Sequence, residues 1–287
     1  MSIEVIVVDN ASTDRTPETL ARHAGVRLLR HAQNLGFAAG CNAGMAISRG
    51  RHVLLLNPDT IVAPGALRHL LAALEKFPDV GLVGPSIANQ VDGTVRSSLT
   101  EAPTLAWLFF RFTPARYLRR YRRRRWTPDA DTPTSAGYLN GSCLLVRGSL
   151  LAKIGGLDDG YFLYWEDIEY SRRATASGWK LLWASAATVY HARASSTAGV
   201  EPGLRLWLNL VGARRYFGRT RRARVSVWWP LFKVSCLAGV AMTWLESGIK
   251  TKTYAIAGNT ARSERHRRRR SEASAFLRKY SRTLLHL

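Results

Sequence analysis

Short apolar runs alternate along this chain with polar turns and helix-patterned stretches, and the alternation predicts its architecture. Residues 3–8 form a mostly β-branched apolar run that ends at Asp9-Asn10, the pattern of a strand buried on both faces. Pro17 suits the first turn of a short helix closing near Ala24, and residues 26–30 predict a second strand. Small and apolar residues recur at helical spacing over 36–48, and Gly50 closes that helix. Residues 53–56 predict another buried strand. Residues 64–77 predict an amphipathic helix with Leu67, Leu70, Leu71 and Leu74 on one face, and 80–83 a further strand. Strands and helices in alternation with short connections imply an α/β fold with a doubly wound, mostly parallel sheet. In such sheets ligands bind beyond the carboxyl ends of the strands, where Asp9 and Asn57-Pro58-Asp59 both fall.

The pattern blurs over 88–133, where a hairpin turning at Asp92-Gly93 and a basic, aromatic segment intervene. It resumes with a strand over 142–147, helices over 149–154 and 166–177, and strands near 180–183 and 188–190. Residues 203–287 read as a helical appendage. The expected division is therefore 1–200 as an α/β domain and 201–287 as a helical, basic C-terminal region.

A chain of 287 residues, 46% of them hydrophobic, can bury one large core plus a smaller appendage. The net charge of +22 favours anionic partners: phospholipid headgroups, nucleic acid or phosphorylated substrates. Its distribution matters more than its size. Residues 1–100 are nearly balanced, whereas 111–125, 214–224 and 262–270 are dense in arginine, as in a core with basic accessory surfaces. Cys41, Cys143 and Cys236 are odd in number, far apart and without zinc spacing, which points to a reducing compartment. Asp9 cuts the first apolar run too early for a secretory signal. Residues 225–245 are membrane-like, but Pro230 and Lys233 break them, so they read as an interfacial helix with Trp228, Trp229 and Trp244 at headgroup level.

Five places carry candidate chemistry, each with a plainer reading beside it. Asp59, at the mouth of a buried strand, can hold Mg2+ or Mn2+, although on spacing alone a turn or helix-capping aspartate explains it first. Glu166-Asp167 follows the aromatic run Tyr161-Phe-Leu-Tyr-Trp165, a setting that desolvates a carboxylate for use as a base; an acidic first helical turn accounts for it as well. His191 ends a strand, where a lone histidine is more often a hydrogen-bonded structural residue than a metal ligand. The glycine-rich segment from Asn34 to Gly44 could receive phosphate at a helix N-terminus, or pack helix closely on sheet through Gly40 and Gly44. It lacks the lysine of a P-loop and the dinucleotide fingerprint. Residues 107–126 interleave aromatics with arginines and could bind an anionic membrane or single-stranded nucleic acid, or form a plain solvated basic loop.

In chain order these pieces resemble family 2 glycosyltransferases, and among them the rhamnosyltransferase-like members. The resemblance rests on Val7-Val-Asp-Asn-Ala-Ser-Thr-Asp14, Asn34-x-Gly-Phe-x4-Asn42-x-Gly44, Leu55-Leu-Asn-Pro-Asp-Thr60, Gly155-Gly-Leu-Asp158 and Tyr164-Trp-Glu-Asp-Ile-Glu169. It implies a GT-A fold and an inverting transfer from a nucleotide-diphosphate sugar donor. It implies Asp9, Asn34, Gly36, Asn42 and Asn57 at the nucleotide sugar, Asp59 and His191 at Mg2+ or Mn2+, and Asp167 with Glu166 at the reacting centre. Members also carry a strand–helix unit before the one that opens this chain, and that unit supplies a central strand.

The reading is a glycosyltransferase moving a deoxyhexose such as rhamnose onto a lipid-linked or cell-wall glycan acceptor. It would work in the cytoplasm, peripherally at the inner face of the cell membrane, on an anionic surface. A contrasting reading is a catalytically inactive remnant serving as a basic membrane- or nucleic-acid-binding module. Nucleic acid as a partner lacks any supporting motif.

Overall fold

The computed structural model describes residues 2–89, 93–117, 128–191, 203–220 and 222–286, with side chains left aside over 222–227. Asp92 of the expected hairpin turn, the arginines of 118–125 and the loop after His191 lie outside the described residues. The chain divides into two compact units: Met1–Ala102 with Trp126–Ala198, and Pro103–Arg125 with Gly199–Leu287.

The first unit runs β1 (Val5–Asp9), α1 (Thr16–Ala21), β2 (Val26–Arg30), α2 (Phe37–Ile47), β3 (His52–Leu56), β4 (Thr60–Val62), α3 (Ala66–Lys76) and β5 (Val80–Asn89). Two short strands follow, β6 (Val95–Ser97) and β7 (Leu99–Thr100). After the excursion into the second unit, which contributes α4 (Leu105–Phe112), come β8 (Tyr138–Leu139), β9 (Cys143–Arg147), α5 (Gly148–Ile154), α6 (Glu166–Ala176) and β10 (Lys180–His191).

The principal sheet orders β3-β9-β5-β10-β4, with β6 on the far part of β5. It is mixed rather than mostly parallel. β5 and β10 pair in parallel, but β9 runs antiparallel between β3 and β5, and β4 runs antiparallel to β10. The reason is that β9 returns through the 89–142 excursion instead of a crossover helix, so it need not run with its neighbours. The two strands expected near 180–183 and 188–190 are one strand with a register shift between Ala184 and Thr188. The pairing of 86–88 with 95–97 bears out the hairpin.

β1 and β2 form a separate two-stranded parallel sheet. α2 lies against both β1 and the main core: a Cβ on Gly44 would sit 3.2 Å from Val8, while Ala38 and Met45 pack with Leu55 and Leu144. Glu4 also accepts backbone N–H groups of Arg49 and Gly50 just before β3. Still, no ladder joins β1 to β3 among the described residues. The family resemblance places a central strand in this part of the sheet.

The sheet core is covered on its two faces by separate apolar clusters. Leu82, Leu144, Val146, Leu150, Tyr170 and Leu181 belong to one, and Leu70, Leu74, Val80, Val83, Leu145 and Leu182 to the other. Successive side chains of β9 alternate between the two, Leu144 and Val146 to the first and Cys143 and Leu145 to the second, as the strand period of two requires.

The second unit consists of α4, a short 3-10 turn (Pro114–Tyr117), α7 (Leu204–Thr220), α8 (Arg222–Ile256), α9 (Thr260–Lys279) and α10 (Ser281–His286). α8 continues through Pro230. It approaches the end of α4 closely, where a Cβ on Gly239 would lie 2.5 Å from the Phe112 carbonyl.

Arg147, the last residue of β9, locks the end of α3 to the start of β5. Its guanidinium donates to the carbonyls of Val80 (2.5 Å), Phe77 (2.8 Å) and Leu74. Three carbonyls converging on one planar fork suit arginine and not lysine. Arg147→Leu should lower stability by roughly 2–4 kcal/mol in urea denaturation, because it orphans these carbonyls, with Arg147→Lys recovering only part. An unchanged midpoint would show the clamp to be idle.

Candidate active site

The carboxyl ends of β1, β3 and β10 and the head of α6 supply the expected residues. β4 brings Asp59, just after β3, to His191 at the end of β10. It is too short to show in the sequence pattern, yet its antiparallel pairing sets Thr60 opposite His191. As a result the His191 imidazole lies 3.1 Å from Asp59 Oδ1, across 132 positions of chain. Asp59 is largely buried and His191 partly so. Beside them Asn57 gives its N–H to the Ser142 carbonyl at 2.9 Å, while its side-chain Oδ1 is buried with no hydrogen-bond partner.

The turn that receives Asn57 also receives Asp167. Gly141 N–H donates to Asp167 Oδ2 at 3.0 Å, and Ile168 N–H donates to Oδ1 at 2.8 Å. The Asn140–Ser142 turn before β9 thus links the Asn-Pro-Asp segment to the acidic head of α6. A Cβ on Gly141 would lie 3.2 Å from Asp167 Cβ, so the backbone comes close because no side chain intervenes.

Glu166 and Asp167 begin α6 behind Tyr164 and Trp165, both in the left-handed region at φ 70° and 77°. Two such non-glycine residues in succession cost about 1–2 kcal/mol each, sustained only where surroundings fix them. Here the Phe162 carbonyl accepts the Phe37 N–H at 2.8 Å, and the aromatic loop crosses α2 so closely that a Cβ on Gly36 would meet that carbonyl at 2.5 Å. Trp165 and Tyr161 are each 2% exposed. The aromatic run is therefore a strap anchored by its buried ends, Tyr161 and Trp165, that aims the two carboxylates.

Burial raises both acids. Glu166 is pushed up to about 8, first by loss of solvent and then by the neighbouring Asp167 charge, and its Oε2 has no hydrogen-bond partner. Asp167 is also raised by burial, but the Gly141 and Ile168 amides oppose the rise. The Gly141 and Ile168 amides oppose the rise at Asp167, whereas Glu166 is met only by its own backbone N–H, an arrangement that favours the charge on Asp167 and the proton on Glu166. The Cys41 thiol nearby is pushed to about 12 by burial and by Glu166, which removes it as a nucleophile.

At β1, Asp9 is 3% exposed and stays ionised, its pKa held below the ordinary range by hydrogen bonds from Ser12 and by Arg30 at 3.3 Å. The adjacent Asn10, quoted in the motif but given no role from sequence, is the hub of this corner. Its amide donates to Asn34 Oδ1 (3.0 Å) and the Gly36 carbonyl (2.9 Å) and accepts from Leu35 N–H (3.1 Å). Asn34 also accepts the Gly36 N–H at 2.9 Å. Asn42 is paired in both directions with the backbone of Leu157, at 2.8 Å each. Asn34, Gly36 and Asn42 thus tie loops together with the groups expected to face a ligand. Arg173 completes the frame, bonding Glu169 and the carbonyls of Ile154 and Gly156. Sequence reasoning missed Asn10, Gly141 and Arg173; only the Asn-Ala turn after β1, with Ala11 at φ 65°, hinted at the first.

Known proteins resemble this chain in sequence and fold. The profile described as "Glycosyl transferase family 2" matches residues 1–144. An N-acetylglucosaminyl-diphospho-decaprenol L-rhamnosyltransferase of Mycobacterium tuberculosis is 35% identical over 227 residues, 71% of each chain. A low-salt glycan biosynthesis hexosyltransferase, Agl10, of Haloferax volcanii is 26% identical over 175 residues, covering 60% of this chain and 53% of that protein. Among solved structures, the mannosyltransferase PcManGT of Pyrobaculum calidifontis, in complex with GDP-Man and Mn2+, superposes with a TM-score of 0.51 at 16% identity, over 96% of this chain and 77% of that one. The chain accordingly belongs to glycosyl transferase family 2: it is a glycosyltransferase with the GT-A fold.

Proposed function

We propose that this glycosyltransferase carries out an inverting transfer of a deoxyhexose, of the rhamnose type, from a nucleotide-diphosphate donor to a lipid-linked or cell-wall glycan acceptor. The observation that carries the mechanism is the buried acid pair at the head of α6, in which Asp167 holds the charge and Glu166 the proton. Rhamnose and a lipid-linked acceptor are supported by the name of the mycobacterial relative, an L-rhamnosyltransferase acting on N-acetylglucosaminyl-diphospho-decaprenol. A polyprenyl acceptor in turn suits a protein working peripherally at the inner face of the cell membrane.

Inversion needs one base on the acceptor hydroxyl, on the face opposite the leaving diphosphate, and no covalent nucleophile. Asp167 takes that proton as the hydroxyl oxygen attacks the anomeric carbon. Gly141 and Ile168 fix its orientation, and the protonated Glu166 spares it a second buried charge. The desolvated setting keeps the base stronger than a surface aspartate.

Asp59 and His191, already within hydrogen-bond reach of each other, and the unpartnered Asn57 Oδ1 suit a divalent cation with open positions for phosphate oxygens. Mg2+ or Mn2+ bound there would supply positive charge against the departing diphosphate. No group of three histidine, cysteine or acidic side chains is poised for a metal among the described residues, so the diphosphate itself would complete the coordination. Asp9 contacts the nucleotide in this reading, while Asn34, Gly36 and Asn42 act on the donor pocket through the loops they hold.

Asp167→Asn should lower kcat for transfer about 10²–10⁴-fold, the usual weight of a general base, and leave the donor KM nearly unchanged. In the wild type the rate should fall with acidification at a pH above the ordinary aspartate range, because the pKa of Asp167 is raised. Near-wild-type turnover by Asp167→Asn would sink the assignment.

A nucleoside diphosphate at about 100 times its Kd should raise Tm by roughly 5 °C in the presence of Mn2+. The Mn2+-dependent part of that shift should vanish in Asp59→Ala and shrink in His191→Ala. An undiminished shift in Asp59→Ala would remove the metal role from this pair.

A further inference from the structure

Helix α8 is apolar on both sides. Trp229, Phe232, Cys236 and Val240 are buried inside the helical unit. Around the helix from them, Trp228, Leu231, Val234, Met242, Leu245 and Ile249 are 40–69% exposed. With the exposed Ala238, these positions recur every three or four residues, the spacing of one helix face, and the stripe runs about 30 Å. A helix apolar all round is stable in water only when something covers its outer side. Of the three tryptophans expected at an interface, the structure turns only Trp228 outward. Trp229 is buried, and Trp244 donates to Ser274 at 2.8 Å beneath the Arg270 guanidinium at 4.4 Å.

The charge of this unit selects what the cover is. Residues 103–125 and 199–287 hold 27 arginines and lysines against 4 glutamates and no aspartate, while the other unit holds 15 basic residues against 16 acidic. In α9 the side chains of Arg262, Arg265, Arg267, Arg268 and Arg269 are exposed, and Arg268 pairs with Glu272. A second copy docked on the stripe would press two strongly basic units together. Nucleic acid would answer the charge but leave the apolar face in water. An anionic bilayer answers both, with apolar side chains in the headgroup–acyl boundary and arginines on phosphates. No helix among the described residues is long and apolar enough to cross a membrane, so such a helix would lie along the surface.

We infer that the outer face of α8, from Trp228 to Ile249, docks this protein on an anionic lipid surface, held by the basic charge of its own unit. The inference deepens the peripheral association proposed above and rests on it. It names the face that makes the contact.

The test is flotation of the full chain with phosphatidylcholine vesicles, with and without phosphatidylglycerol, at low and high salt. The wild type should float with the anionic vesicles, less so at high salt, and poorly with the neutral ones. Leu231→Glu/Ile249→Glu, both exposed positions, should bind anionic vesicles at least about tenfold more weakly while keeping its circular dichroism and Tm. A wild type that stays unbound on anionic vesicles overturns the peripheral association and this inference together. Equal flotation of the wild type and the double variant overturns the α8 face alone. Equal binding to neutral vesicles overturns the role of charge. A wild-type dimer by light scattering that the double variant dissolves, with flotation unchanged, makes the stripe a self-interface and overturns its lipid role.

Discussion

Two carboxylates buried side by side at the head of α6 are the constraint around which the active site is arranged. Such a pair is costly unless one member is neutral and the other is held by donors. The chain meets both demands with backbone, through Gly141 and Ile168 for Asp167 and a dry, unpartnered position for Glu166. The left-handed turn at Tyr164-Trp165, the crossing over Gly36 and the Asn42–Leu157 tie hold that geometry. Residues remote from the pair are thereby committed to it, and much of the signature motif serves as framework.

The linkage has a definite sign. Glu166 has an ordinary value of 4.5 in the unfolded chain and about 8 in the folded one, so between these values the folded protein holds a proton that the unfolded chain releases. Its contribution to stability is full below the lower value and is lost as pH rises through the upper one, by at most about 1.4 kcal/mol per pH unit.

Much of this was legible in the sequence because apolar runs and turn residues report local periodicity. β1, β2, β3 and β9, and helices α2, α3, α5 and α6, lie within a few residues of where the pattern predicts them. What could not be read was pairing. β4 spans only Thr60–Val62, yet it is what brings His191 to Asp59. β10 looked like two strands because Ala184, Ser185, Ala186 and Ala187 carry too little apolar side chain to mark the bulge. The direction of β9 depends on a long excursion that leaves no periodic signal. The backbone pairings of Asn34 and Asn42 were likewise illegible, because an asparagine in a motif does not show which distant N–H its amide will accept. In α8, the sequence set Trp228 and Trp229 together at an interface. The uninterrupted helix instead sorts Trp228 from Trp229 onto opposite sides.

The proton on Glu166 is the most direct measure of the central claim. Carboxyl-selective 13C NMR across a pH titration, on the wild type and on Glu166→Gln, reads it without any substrate. The structure predicts one carboxyl with a midpoint near 8, absent from the glutamine variant. A wild type in which every carboxyl has titrated by about pH 5, near the ordinary glutamate range, would contradict the buried, singly protonated pair and with it the assignment of Asp167 as the charged base.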